Sequence, residues 1–270
     1  MSSQVEGPTH GDSRRPRGVR TEVDGADGRL LRIVLDRPEA ANTFDIPATL
    51  ALREAIDRAE GEEFSAVLLT GEGGRFCAGG DITSFLAAPE GERTASLHEL
   101  ATTLEAELRR LADLPKPVVA AVHGAVAGAG LAFLLSSDIV VAARSTKFVW
   151  AYAGVGLTPD CGVSYLLPRA VGLQRALDFA IGGAAITAET ARDWGLVTRV
   201  AEDEEVQEVA ADLARTLAAG PTGSYGHAAR LLRAAFEVDR DTHAADEAAT
   251  ITARITTPEA KALIERFLGR

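Results

Sequence analysis

The sequence predicts an α/β protein built on a mainly parallel sheet. Three observations predict it. Short, continuous apolar runs such as Ala66-Val67-Leu68-Leu69-Thr70 and Val118 to Val122 have the length and content of strands buried on both faces. Segments with helical apolar spacing separate these runs, which is the pattern of strand–helix–strand crossovers. Two of the runs end directly in glycine-rich turns, where ligands of open α/β sheets bind.

Taken in order, residues 1–18 are rich in Ser, Gly, Pro and Arg without periodicity and are expected to form a disordered tail. Val19 to Val23 and Leu30 to Leu35 read as strands around the turn 24–28, and Asp36-Arg37-Pro38-Glu39 ends the second. Ile46 to Ala59 reads as a helix, followed by the buried strand 66–70. The loop 71–81 then holds five glycines in eleven residues, so its backbone takes special angles or approaches something closely. Glu92 to Leu114 reads as a long amphipathic helix stopped by Pro115.

The organising stretch is Lys116 to Asp160. Strand 118–122 enters the turn Gly124 to Gly130, which enters an apolar helix and then a strand at Ile139 to Ala142. Beyond Pro159 the chain is expected to be helical near 161–170, 172–181, 187–194, 203–219, 222–237, 241–254 and 258–268, with one strand at Leu196 to Val200. Asp160 is expected at a helix start. The division expected is a tail at 1–18, a core domain at 19–200 and a helical region at 201–270, whose broad apolar stripes call for a partner surface.

A net charge of −11 argues against general nucleic-acid binding. Two cysteines give no disulfide framework, the histidines have no metal-ligand spacing, and no apolar run approaches the roughly 20 residues that cross a bilayer. No metal, no membrane association and a cytoplasmic location are the expectations. Dinucleotide, P-loop and nucleophile-elbow motifs are missing: Gly128-Ala129-Gly130 is followed by Leu131-Ala132-Phe133.

The two glycine turns can each serve packing alone, or can each offer one backbone N–H to a shared oxyanion. Asp160 can serve as a helix-opening residue or as a proton carrier. Cys161 with His123 is a weaker pairing, since a reactive thiol needs a basic partner.

Phe76-Cys77-Ala78-Gly79-Gly80-Asp81, Lys116-Pro117-Val118-Val119-Ala120-Ala121-Val122-His123-Gly124, Ala127-Gly128-Ala129-Gly130 and Asp138-Ile139 together resemble the crotonase, or enoyl-CoA hydratase/isomerase, superfamily. Leu35-Asp36-Arg37-Pro38 with Asn42, and Ala188-Glu189 with Gly195-Leu196-Val197, fit the same pattern over about residues 20–268. The resemblance implies a crotonase-like spiral of ββα units with C-terminal helices used in a homotrimer or a dimer of trimers. It implies an acyl-coenzyme A thioester as substrate, a role in fatty acid metabolism, and no cofactor beyond that coenzyme A. The thioester oxygen would sit between the N–H groups of Gly80 and Ala129. Ala78, Asp81, Ile82, Phe85, Trp150, Tyr152 and Arg37 are the candidates for substrate binding.

The departures bear on the chemistry. The two glutamates of the hydratases correspond here to Ala132 and Tyr152, so hydration by that pair is not expected unless another carboxylate, such as Glu92, Glu99 or one from the C-terminal helices, reaches the site. Gly156-Leu157-Thr158-Pro159-Asp160 and Ser164 to Gly172 are instead similar to epoxyphenylacetyl-CoA and Δ3,Δ2-enoyl-CoA isomerases, in which one carboxylate moves a proton. The same position holds the nucleophile of 4-chlorobenzoyl-CoA dehalogenases, whose tryptophan is Tyr152 here. Isomerase is the leading expectation. A dehalogenase or hydrolase, a hydratase-like lyase, and a binding protein with a decayed site are the alternatives.

Overall fold

The computed structural model of the chain describes residues 18–269. The tail expected at 1–18 lies outside them except for Gly18, whose carbonyl accepts the Asp36 N–H at 2.9 Å. The elements run β1 (Val19–Asp24), β2 (Leu30–Leu35), α1 (Ile46–Ala59), β3 (Ala66–Gly71), α2 (Ile82–Leu86), α3 (Arg93–Ala112), β4 (Val118–Val122), β5 (Ala125–Ala127) and α4 (Ala129–Leu135). They continue with β6 (Ile139–Ala143), β7 (Lys147–Val149), α5 (Val163–Val171), α6 (Leu173–Gly182), β8 (Ile186–Thr187), α7 (Ala188–Trp194) and β9 (Arg199–Ala201). The last helices are α8 (Val206–Ala218), α9 (Thr222–Ala234), α10 (Arg240–Ile255) and α11 (Pro258–Phe267).

A six-stranded sheet has the order β1-β2-β3-β4-β6-β9, parallel throughout except for the β1–β2 hairpin. Both faces are covered, which explains the continuous apolar runs. Leu31, Ile33, Val67, Leu69, Val118, Ala120 and Val122 pack into the main core, while Leu30, Ala66, Leu68, Val119 and Ala121 face the other way. That second face is closed by α8, whose Ala210, Ala211, Ala214 and Ala218 lie against it. Small side chains let the helix sit close to the strands. Helix α8, grouped by sequence with the C-terminal region, is thus packed on the main sheet.

A second, shallower layer runs beside the first. Strands β5, β7 and β8 form a three-stranded sheet, and single bridges join Phe44 to Gly80 and Cys77 to Val126. Each turn of the chain therefore passes from a main-sheet strand to a short second-layer segment and then to a helix: β2–Phe44–α1, β3–Cys77 to Gly80–α3, β4–β5–α4, β6–β7–α5. This is the expected spiral of ββα units. The expected strand at Leu196 to Val200 is displaced to β9. Leu196 and Val197 instead follow the Gly195 cap, buried, with both N–H groups directed to the Ala191 carbonyl.

Candidate active site

Successive turns of the spiral place the two glycine loops side by side. The Cys77 carbonyl accepts the Ala127 N–H at 3.1 Å, and the Gly79 carbonyl accepts the Phe44 N–H at 2.9 Å. The approach is closest at three glycines. A Cβ on Gly79 would fall 3.3 Å from the Ala127 carbonyl oxygen, one on Gly128 would fall 3.2 Å from the Gly79 Cα, and one on Gly130 would fall 2.4 Å from the Cys77 carbonyl oxygen. Gly79 and Gly128 also hold positive φ values of 113° and 53°, which glycine adopts without steric cost. The glycines are therefore present for contact between the loops. Neither Gly80 nor Ala129 donates its N–H to a protein acceptor among the described residues.

These two residues line a cavity of about 450 Å³. Its floor is Ala78, Gly79, Gly80, Gly128 and Ala129, and one wall is Leu97, His98, Leu100 and Ala101 of α3. Tyr152, Val155, Leu157, Thr158, Pro159 and Asp160 form the facing wall. Ile82 and Phe85 of α2 also line it. Asp160 is the one carboxylate among these lining residues. Glu92 and Glu99, considered as substitutes for the missing glutamates, are not among them, and Ala132 is fully buried within α4.

Asp160 does not open a helix. Helix α5 begins at Val163, and Cys161 and Gly162 before it have φ values of 50° and 72°. The Leu157 N–H returns to the Tyr152 carbonyl at 3.0 Å, folding residues 152–157 into a tight turn that carries Asp160 back to the cavity. There its Oδ1 accepts the Tyr152 hydroxyl at 2.9 Å. Burial, and then the negative Asp160, hold the phenol well above the ordinary tyrosine range, so it stays protonated and acts as a donor.

Other sequence candidates are placed differently. Arg37 is absent from the cavity lining; its guanidinium bonds the Thr43 carbonyl at 2.9 Å and pairs with Asp45 and Asp81 at 3.1 Å each. Its charge is thus taken up in tying together the caps of α1 and α2. Asp81 caps α2 by accepting the Ser84 N–H at 3.2 Å and likewise stands outside the lining. Trp150 packs behind the wall, its ring 5.2 Å from Tyr152 and 5.9 Å from Phe179.

The Cys161–His123 pairing does not form. The His123 Nε2 lies 2.8 Å from the Gly73 carbonyl, in a separate cleft with Arg20, Arg32 and Asp203. Cys161 is buried, and burial followed by the adjacent Asp160 pushes its thiol far up. Cys77 is pushed up to about 12 by burial. Neither sulfur is a ready nucleophile.

Sequence reasoning did not foresee the α3 wall or the support given by Asn42. Asn42 is buried and donates from Nδ2 to the carbonyls of Glu72 and Arg75 at 2.9 and 2.8 Å, and its Oδ1 accepts the Arg37 N–H at 2.8 Å. It ties the turn after β2 to the glycine loop that carries Gly80.

The profile described as "Enoyl-CoA hydratase/isomerase" matches residues 25–270. The chain is 41% identical over 198 residues to 1,2-epoxyphenylacetyl-CoA isomerase of Escherichia coli (strain K12), covering 73% of this chain and 76% of that protein. It is 33% identical over 205 residues to 4-chlorobenzoyl coenzyme A dehalogenase-2 of an Arthrobacter species, covering 76% and 74%. The crystal structure of an enoyl-CoA hydratase from Polaromonas sp. JS666 superposes with a TM-score of 0.87 at 32% identity, covering 93% of this chain and 96% of that one. Fold, loop geometry and these likenesses agree, and the chain belongs to the enoyl-CoA hydratase/isomerase family of the crotonase superfamily.

Proposed function

We propose that the protein is an acyl-CoA isomerase of the enoyl-CoA type in which Asp160 moves a proton on a thioester-stabilised enolate. The observation that carries this is the single carboxylate among the cavity-lining residues, facing a floor that offers two N–H groups without protein acceptors. The N–H groups of Gly80 and Ala129 receive the thioester oxygen. As a proton leaves the adjacent carbon, negative charge gathers on that oxygen, where each donor is worth about 3–4 kcal/mol in the transition state. Asp160 takes the proton from C2 of a 3-enoyl thioester and returns it at C4, leaving the 2-enoyl thioester. One base suffices for this transfer, whereas hydration needs an activated water and a separate proton donor. The apolar lining of Ile82, Phe85, Leu97, Leu100, Val155 and Leu157 suits a hydrocarbon or aromatic acyl group.

The test is turnover of three thioester classes: 3-enoyl-CoA, 2-enoyl-CoA and an aromatic epoxide. Isomerisation of the first or third is expected, with Asp160→Asn lowering kcat by about 10²–10⁴-fold. Equal turnover by the Asn variant would end the proposal. The likeness to the Arthrobacter dehalogenase keeps a second reading in play, with Asp160 as nucleophile. An acyl or aryl adduct on Asp160, found by mass spectrometry after a rapid quench, would select that reading.

A further inference from the structure

We infer that Tyr152 is a positioning residue that fixes the orientation of the Asp160 carboxylate; the inference deepens the reading of Asp160 as the proton carrier and rests on it. The Tyr152 hydroxyl makes one hydrogen bond among the described residues, to Asp160 Oδ1 at 2.9 Å. The tyrosine is 8% exposed, so without that acceptor its hydroxyl would be stranded in an apolar wall. Its ring is held in turn by Trp150, edge-on at 5.2 Å, and Trp150 packs on Phe179 of α6. A side chain fixed in this way donates from one place. It holds Oδ1 and leaves Oδ2 as the oxygen free to exchange a proton with substrate.

The chemistry favours a donor at this position over a second acid. A carboxylate here would repel Asp160 and turn it away. A hydroxyl that stays protonated instead donates to Asp160 and holds it in one orientation. The other titratable groups facing Asp160 are Cys161 beside it, Glu105 of α3 against Gly162, and His98 of α3 in the same cavity. Cys161 stays a neutral thiol and adds no charge beside the carboxylate.

Two measurements test this. Both kcat and KM are compared between Tyr152→Phe and the parent. Loss of the donor should lower kcat about tenfold with KM changing less than twofold. A loss of packing alone would disturb the acyl pocket and raise KM as well, so an unchanged kcat, or a fall in kcat matched by a rise in KM, overturns the inference.

The second measurement needs no turnover. The chain has three tyrosines, and Tyr165 and Tyr225 lie outside the cavity lining. Replacement of all three by 3-fluorotyrosine gives a fluorine resonance for residue 152, assigned as the signal missing from Tyr152→Phe. Asp160→Asn should move it by more than it moves the resonances of Tyr165 and Tyr225. A residue 152 resonance unmoved by Asp160→Asn overturns the inference. A moved resonance in a protein that isomerises no thioester supports the Tyr152–Asp160 contact and removes only the proposed reaction.

Discussion

Adding one methyl group at Gly130 should disable the site from outside the cavity. A Cβ there falls 2.4 Å from the Cys77 carbonyl oxygen, 3.2 Å from its carbonyl carbon and 3.3 Å from its Cβ, against 3.4 Å for ordinary contact. Gly130 has helical backbone angles, so Gly130→Ala carries no φ strain and gains about 1 kcal/mol of helix propensity. The two nearest opposing atoms are backbone, held by the Ala127 N–H bond at 3.1 Å, and cannot swing aside. Overpacking of this kind costs about 1–3 kcal/mol. The net loss is therefore about 0–2 kcal/mol, a fall in Tm of no more than roughly 8 °C for a domain of this size.

Activity should suffer more. Relief of the clash needs a movement of about 1 Å between α4 and the loop carrying Gly80, the two elements that hold the N–H pair. Misplacement on that scale costs on the order of 10²-fold in rate, as does loss of one oxyanion donor. Thermal unfolding and kcat on the responsive thioester, measured together, should show a folded protein with about 1% of parental kcat. Gly74→Ala, where a Cβ meets nothing within 4 Å, is the control. Gly130→Ala with parental kcat would refute the claim that close packing of these loops aligns the two donors.

Asn42→Ala removes three hydrogen bonds at a buried position and should cost about 2–4 kcal/mol by urea unfolding; a loss below about 0.5 kcal/mol would show that Asn42 does not hold the glycine loop. Several surface carboxylates have folded pKa values below their ordinary range, among them Glu202 through the Arg144 hydrogen bond, Asp239 through Thr242 and Asp246 through Arg230. Their stabilisation is present above the unfolded value of about 4 and is lost as pH falls through the lower folded values. Asp138, raised by burial against the pull of Arg233, works in the opposite sense. Tm should be level from pH 7 to about 5 and fall below about 4; a rise on acidification below 4 would contradict this. Helices α9, α10 and α11 and the turn between α9 and α10 expose Leu232 at 73%, Phe236 at 67%, Ile251 at 70% and Phe267 at 89%. Analytical ultracentrifugation should find a trimer or paired trimers, and a monomer at micromolar concentration would refute that assembly.

The elements were legible where the physics is local. Strand β4 is apolar throughout because both faces of the parallel sheet are covered, and α1 was placed at its observed ends by its apolar spacing; in the structure Asp45 and Pro47 open it. Asp160 was misplaced relative to α5 because Pro159 and an acidic residue suggest a helix start. The two left-handed residues that follow, one of them the non-glycine Cys161, delay the helix to Val163. Arg37 looked available to substrate because a basic residue beside a loop is ambiguous until its partners are known. Asp45 and Asp81, far apart in sequence from each other, meet it only in the fold.

The sequence by itself determined the alternation of strand and helix, the two glycine turns, and Asp160 as the matched carboxylate where the hydratase glutamates are absent. The first two are read from residue types at short spacing, where chain geometry leaves few choices, and the third is what the family resemblance implies. Only the tertiary structure decided that the glycines serve contact between successive spiral turns, that α3 walls the cavity, and that Tyr152 donates to Asp160. Those facts depend on how far one turn of the chain sits from the next, a distance set by side-chain packing across the whole core.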